Sequence, residues 1–357
     1  MKKIIALLVT VMMLISSTAC SKNSGLNNIN FDIVNYNNLY DTFLDSRLCI
    51  NGDTIFYNSD GFYNQRTFVR NNGKKTKLIE HNDFSNESYY GDFFVIDGFM
   101  YFNTFTETEP AGDYIYRYSL AEQKYEKLLS TTNLSFWLVT KEHIVFSKFG
   151  TEDDICDLYI YNMQSKTETL VAENVLEFGI ANNKLRYLTQ ATDDNIFVYE
   201  TDFYGRQSQK LGEFTTKIQD YPIFNFTTNY VVSKCTQTEN ESSISVYSTQ
   251  GKYSEYSLPR PVQQLICGDE YAYAVCFEYQ ELSSDIVRHK DNGIYRINLS
   301  NGNYKKIDSV TTNNTEVHVN SDNEIYIIKE AFSIAMYRRN VYKMDVNENT
   351  KRKIFVW

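Results

Sequence analysis

The sequence predicts an all-β chain, a β-propeller of seven four-stranded blades, and three observations carry that prediction. Composition is the first: 15% of the 357 residues are aromatic, with 29 Tyr and 23 Phe against 4 Pro, and Tyr and Phe favour pleated, half-buried surfaces. The second is a recurring hairpin. The stretch "IYRINLSNGNYKKI" (294–307) reads as two short strands around a polar turn, and "IYRYSLAEQKYEKL" (115–128) and "VYKMDVNENTKRKI" (341–354) repeat it at the same length. Looser copies begin at residues 67, 158, 196 and 244, making seven. The third is the period. A second hairpin precedes each copy, and its return strand starts at Ile55, Met100, Ile144, Leu185, Tyr230, Tyr271 and Ile325, on average about 45 residues apart. Four short strands per ~45 residues is the repeat of a propeller blade.

The first element in order is residues 1–19. Lys2 and Lys3 precede an apolar run from Ile4 to Ile15, which is too short to span a bilayer and reads as a secretory signal peptide. Ser17, Thr18 and Ala19 suit an ordinary signal peptidase. Cys20, directly after Ala19, resembles the lipoprotein box of bacteria, in which that Cys is acylated and becomes the new N-terminus. Ser17 stands where that pattern prefers an aliphatic residue. The polar stretch "SKNSGLNNIN" (21–30) suits a tether, so residues 20–42 read as a lipidated Cys and its tether. The expected location is the outer side of a bacterial cytoplasmic membrane, lipid-anchored, with plain secretion as the alternative.

Residues 43–357 carry the blades. The strand that opens each 14-residue hairpin mixes aliphatic with aromatic residues, as in "LYIY" (158–161) and "IFVY" (196–199), where no polar residue intervenes. A sheet with one wet face alternates apolar with polar. A blade packed on both sides by its neighbours needs strands that are apolar on both faces. No 3.6-residue periodicity appears beyond the signal segment. The "IYRINLSNG" hairpin resembles the blade motif of bacterial extracytoplasmic lipoproteins with a YWTD-like β-propeller domain of unknown function. The YWTD tetrapeptide itself is missing, as are the WD dipeptide and the Ser-x-Asp-x-Gly-x-Thr-Trp box of sialidases. That resemblance implies fold and envelope location, and it carries over no catalytic residue.

Chemistry is sparse. Without residues 1–19 the chain holds 33 basic and 45 acidic residues, a net charge of −12, which excludes a nucleic-acid role built on clustered Lys and Arg. Cys49, Cys156, Cys235, Cys267 and Cys276 are scattered and odd in number, so neither a disulfide framework nor a zinc site is expected. His81, His143, His289 and His318 form no local metal pair. His318, in the innermost strand of the last repeat, is placed to face a central channel, where a His can ligate or act as a base but is more often a hydrogen-bonded filler. No nucleophile elbow, Walker loop or dinucleotide fingerprint occurs. No catalytic residue, metal or cofactor is therefore assigned.

One constellation stands out. The connections between second and third strands emerge on one end of a propeller. In the second to fifth repeats they read "NTFTETEPAGD" (103–113), "FGTEDDICD" (149–157), "QATDDN" (190–195) and "TQTENESS" (236–243). They hold Glu107, Glu109, Asp113, Glu152, Asp153, Asp154, Asp157, Asp193, Asp194, Glu239 and Glu241, with no Lys or Arg. The matching stretch of the seventh repeat, "KEAFSIAMYRRN", is net basic. Like-signed loops focus the potential, so this end reads as an acidic docking face. The expected function is a non-catalytic binding or scaffolding module for a protein, peptide or glycan. The alternative is an extracytoplasmic propeller hydrolase or lyase with its site at the channel mouth.

Overall fold

The structure, a computed structural model, describes residues 32–33, 48–51, 54–59, 66–71, 73–80, 87–106, 111–149, 156–192, 195–215, 223–234, 243–282, 285–288, 290–310, 315–319, 324–333 and 336–356. Among these residues every regular element is a β-strand. The antiparallel pairings among the described residues group into seven meanders, whose strands we letter a to d; two of them share one strand in a seven-stranded sheet, and one carries a short fifth strand. Blade 1 comprises Leu48–Asn51, Thr54–Ser59, Arg66–Asn71 and Lys74–Glu80. Blade 2 comprises Ser88–Ile96, Phe99–Thr106, Gly112–Ser119 and Lys124–Thr131. Blade 3 runs Leu134–Val139, His143–Phe149 and Cys156–Asn162, then shares the 15-residue strand Thr167–Ala181 with blade 4. Blade 4 continues with Lys184–Thr192, Asn195–Thr201 and Gln209–Thr215. Blade 5 is Ile223–Phe226, Tyr230–Lys234, Ser243–Ser248 and Tyr253–Ser257. Blade 6 is Val262–Cys267, Tyr271–Cys276, Gly293–Asn298 and Tyr304–Ser309. Blade 7 is Thr315–Val319, Ile325–Ser333, Met336–Asp345 and Thr350–Val356.

Strands apolar on both faces bury them between blades. Phe56, Val69 and Ile79 of blade 1 pack with Val95, Met100 and Phe102 of blade 2. A larger cluster links blades 2, 3 and 4 through Ile115, Phe146, Leu158 and Leu185. Leu188 and Phe214 meet Phe224 and Val231 across blades 4 and 5. Val232 and Ile244 meet Leu265 and Ile297 across blades 5 and 6, and Val275 and Ile294 meet Val317 and Ile327 across blades 6 and 7. Ile50 and Tyr57 of blade 1 meet Tyr326, Ile328, Val341 and Phe355 of blade 7. The last contact returns to the first blade, so the array closes into a ring. Burying each such side chain contributes roughly 1.5–3 kcal/mol.

Contacts between blades concentrate on strands a, which are therefore innermost. Their free edges are capped by amides. Asn225 Nδ2 donates to Leu265 O at 3.3 Å, and Gln264 bridges to Val317, accepting from its N–H at 2.7 Å and donating to its carbonyl at 3.3 Å. Capping of this kind keeps buried edge groups paired. At blade 2, the short strand Asp32–Ile33 covers the inner edge by pairing with Ile96 and Val95. The tight a–b turns suit their residues: Asp97 and Gly98 both adopt positive φ, 51° and 79°, as the two-residue hairpin turn requires.

Three segments differ from the sequence-based expectation. Residues 277–293, "FEYQELSSDIVRHKDNG", read by sequence as the longest of the loops joining second and third strands and mixed in sign, but they contain a separate hairpin of Tyr279–Leu282 and Asp285–Arg288. The "KEAFSIAMYRRN" segment is no loop either; strands b and c of blade 7 stay paired out to Ser333 and Met336. The outer strand of blade 3 runs without interruption into the inner strand of blade 4, because "VAENVLEF" holds no Gly or Pro to break it. Asn174, at φ 57°, turns the chain within that strand.

Candidate functional site

Two ends of the ring can carry function. The b–c connections and the crossovers between blades lie on one end; the a–b and c–d turns lie on the other. On the first end, the sequence expectation places eleven carboxylates. Glu107, Glu109, Glu152, Asp153, Asp154, Asp193, Asp194, Glu239 and Glu241 lie outside the described residues, as does the lipidation candidate Cys20. Asp113 and Asp157 are described, and both stand on strands rather than in loops. Asp113 is 7% exposed. Its Oδ2 accepts the Leu134 N–H at 3.0 Å, joining the end of blade 2 to the start of blade 3. Burial raises its pKa above the usual carboxylate value, opposed by that hydrogen bond. Asp157 is half-buried and lies in register with Lys148, although the Lys148 ammonium pairs with Glu168 at 2.6 Å.

The insertion of blade 6 also stands on this end, and its neck is clamped. Arg260, from the crossover between blades 5 and 6, holds Glu278 at 3.0 Å and Asp291 at 3.6 Å. Asn292 exchanges two hydrogen bonds with the Glu278 backbone, each at 3.2 Å. Tyr295 donates its hydroxyl to Asp291 O at 2.7 Å, and burial pushes the Tyr295 phenol up to about 12. A guanidinium and paired amides thus hold the two ends of the insertion, at Glu278 and at Asp291–Asn292, against the blade.

The opposite end carries a concavity that sequence reasoning missed. A cleft of about 730 Å³ opens between blades 6 and 7, lined by both signs of charge. The Arg296 guanidinium lies over the Tyr271 ring, 4.7 Å from its centroid. Lys343 pairs with Glu324, which also accepts the Tyr326 hydroxyl at 2.6 Å. Burial raises the Tyr273 phenol to about 12, against the nearby Arg296. The cleft's volume falls within the range of small-molecule sites. Its residues come from turns some 75 positions apart, which read singly as ordinary solvated turns. The signal available was the polar break in an otherwise apolar strand, at Arg296 and Lys343.

His318 lies on the innermost strand of blade 7, as the sequence places it, with Nε2 3.1 Å from Glu316 Oε2. Both are largely buried, their side chains 12% and 4% exposed. Among the described residues, no group of three or more His, Cys, Asp or Glu is arranged to hold a metal ion. Cys267 and Cys276 are free and buried. They are out of register, since Cys267 faces Ala272 and Cys276 faces Val262.

Solved structures share this architecture. A prolyl endopeptidase matches 87% of this chain over 50% of its own length, at 9% identity and a TM-score of 0.61. The propeller domain of the trilobed protease from Pyrococcus furiosus, reported with an open velcro topology, matches 86% of this chain over 95% of its own, at 13% identity and a TM-score of 0.56. The chain is a β-propeller. The acylaminoacyl peptidase of Pyrococcus horikoshii matches 88% of it at 10% identity and a TM-score of 0.55. The propeller spans about half the length of each of the two peptidases, and at these identities the likeness extends to the fold alone. No family model and no curated protein sequence matches the chain.

Proposed function

We propose that this β-propeller is a lipid-tethered extracytoplasmic binding or scaffolding module that engages a protein, peptide or glycan through the end bearing the b–c connections. The observation that supports the reading is the clamped hairpin 279–288. A hairpin whose two strands pair with each other, with its neck held by Arg260 and Asn292, suits a recognition surface. The acidic loops of blades 2 to 5 emerge on the same end by sequence, which favours a cationic partner. Asparagine in place of Asp153, Asp154, Asp193 and Asp194 is the test. Loss of a membrane-derived partner retained at low salt supports the reading, and unchanged retention refutes it. Cys20→Ser tests the tether: release from the membrane fraction at high salt supports it, and retention there refutes it.

The His318–Glu316 pair favours a second reading, a hydrolase or lyase at the channel mouth, because a carboxylate beside an imidazole is a usable acid–base couple. That reading requires turnover of a peptide or glycan that His318→Gln abolishes while leaving the melting temperature in place.

A further inference from the structure

The outermost strands carry a charge asymmetry that the fold does not require. Blades 6, 7, 1 and 2 are consecutive around the ring through the clusters that join them. Their outer strands, Tyr304–Ser309, Thr350–Val356, Lys74–Glu80 and Lys124–Thr131, hold ten Lys or Arg against three Asp or Glu. In blades 3, 4 and 5 the outer strands, taken as 167–175, 209–215 and 253–257, hold one Lys against four Glu. Lysines on a sheet edge discourage pairing with other chains, but every blade has that need, and it does not explain confinement to four adjacent blades. The arc persists in a chain whose net charge is −10.

Half of these bases are available, while Lys75, Lys127, Lys306 and Lys351 engage aromatic rings, carboxylates or a carbonyl of the propeller itself. Lys74, Lys124, Lys305, Arg352 and Lys353 are all exposed, and none makes an ion pair among the described residues. Two tyrosines stand among them, Tyr304 at 48% and Tyr125 at 39% exposed, and Tyr favours an interface that is wet on one side and apolar on the other. The first described residues, Asp32–Ile33, pair at the inner edge of blade 2, one of the four blades of the arc. We propose that this arc seats the ring edge-on against a bilayer surface of anionic headgroups. The proposal extends the lipid-tethered reading and rests on it for location. A basic patch is the second signal that complements an acyl chain and fixes orientation. Seated on its edge, the ring leaves both ends open, the one with the clamped hairpin and the one with the cleft.

The test uses the full chain carrying Cys20→Ser, without acyl chains, in sedimentation with phosphatidylglycerol-containing vesicles and with pure phosphatidylcholine vesicles. Binding to the first that falls with salt, and none to the second, is the expected result. Lys74→Gln, Lys124→Gln, Lys305→Gln and Lys353→Gln together should weaken it about a hundredfold or more, at roughly fivefold per base. Lys166→Gln, Lys184→Gln, Lys210→Gln and Lys252→Gln together make the same change in net charge on blades 3 to 5 and should leave it within about threefold. Equal losses in the two variants, or equal binding to both vesicle types, would overturn the proposal. So would tighter binding to soluble polyphosphate than to vesicles, which would reassign the arc to a polymer. In cells, release of Cys20→Ser from membranes at high salt, where the arc no longer binds, tests the tether separately, so the two readings fail independently.

Discussion

Phe355→Ala removes a side chain that spans the joint between blades 7 and 1. The described strands of blade 1 all come from residues 48–80 and those of blade 7 from residues 315–356, so this joint rests on side chains. Phe355 is 4% exposed. It meets Tyr57 edge-on at 4.8 Å, and the Arg70 guanidinium lies 5.1 Å from its ring centroid. Truncating a buried Phe to Ala costs about 3–5 kcal/mol. At roughly 2.1 cal/mol/K per residue, a propeller of this size unfolds with an entropy near 0.65 kcal/mol/K, so 4 kcal/mol lowers Tm by about 6 °C. The same energy speeds local opening by roughly a thousandfold. Hydrogen exchange is the assay. Protection should fall in 48–80 and 315–356 while 134–201 keeps it, because blades 3 and 4 share one continuous strand. A uniform loss over all seven blades, or a Tm drop under about 1 °C, would refute closure by these side chains.

Gly302→Ala should destabilise the fold by about 2–4 kcal/mol in urea titration. Gly302 sits at φ +73°, and an added Cβ would collide with the Tyr256 ring of blade 5. Burial alone would raise the Asp308 pKa, but Lys329 and Lys351 bond its carboxylate and hold it below the ordinary value. A depressed carboxylate contributes stability above its unfolded pKa and loses it as pH falls through the folded one. Melting temperatures below about pH 4 should therefore drop less steeply in Asp308→Asn than in the parent protein. Burial raises the Cys267 thiol and pushes that of Cys276 to about 12. Both should resist an alkylating reagent at pH 8 in the native state and react on unfolding; native labelling of either would contradict their burial.

The strands were legible because each is written within its own repeat. Apolar residues on both faces of Leu158–Tyr161 and Ile196–Tyr199 announce strands between neighbours, and Asp97-Gly98 announces its turn. The site was less legible. Asp113 looks like any loop acid in "TETEPAGD", yet it caps the Leu134 N–H, a contact 21 positions away. The hairpin 279–288 has mixed charge and weak alternation, so nothing local separates it from a loop. Arg296 and Lys343 interrupt apolar strands visibly, but nothing in either strand shows that they face one cleft.

The period of about 45 residues, the fold class and the segregation of charge by connection follow from the sequence alone, because pleat, turn and polarity are properties of neighbouring residues. Tertiary structure alone decided that blades 7 and 1 meet through Tyr57 and Phe355, that a cleft lies between blades 6 and 7, and that four basic outer strands adjoin. Those facts depend on which strands become neighbours after the chain has travelled around the ring, and no pattern confined to one repeat specifies them.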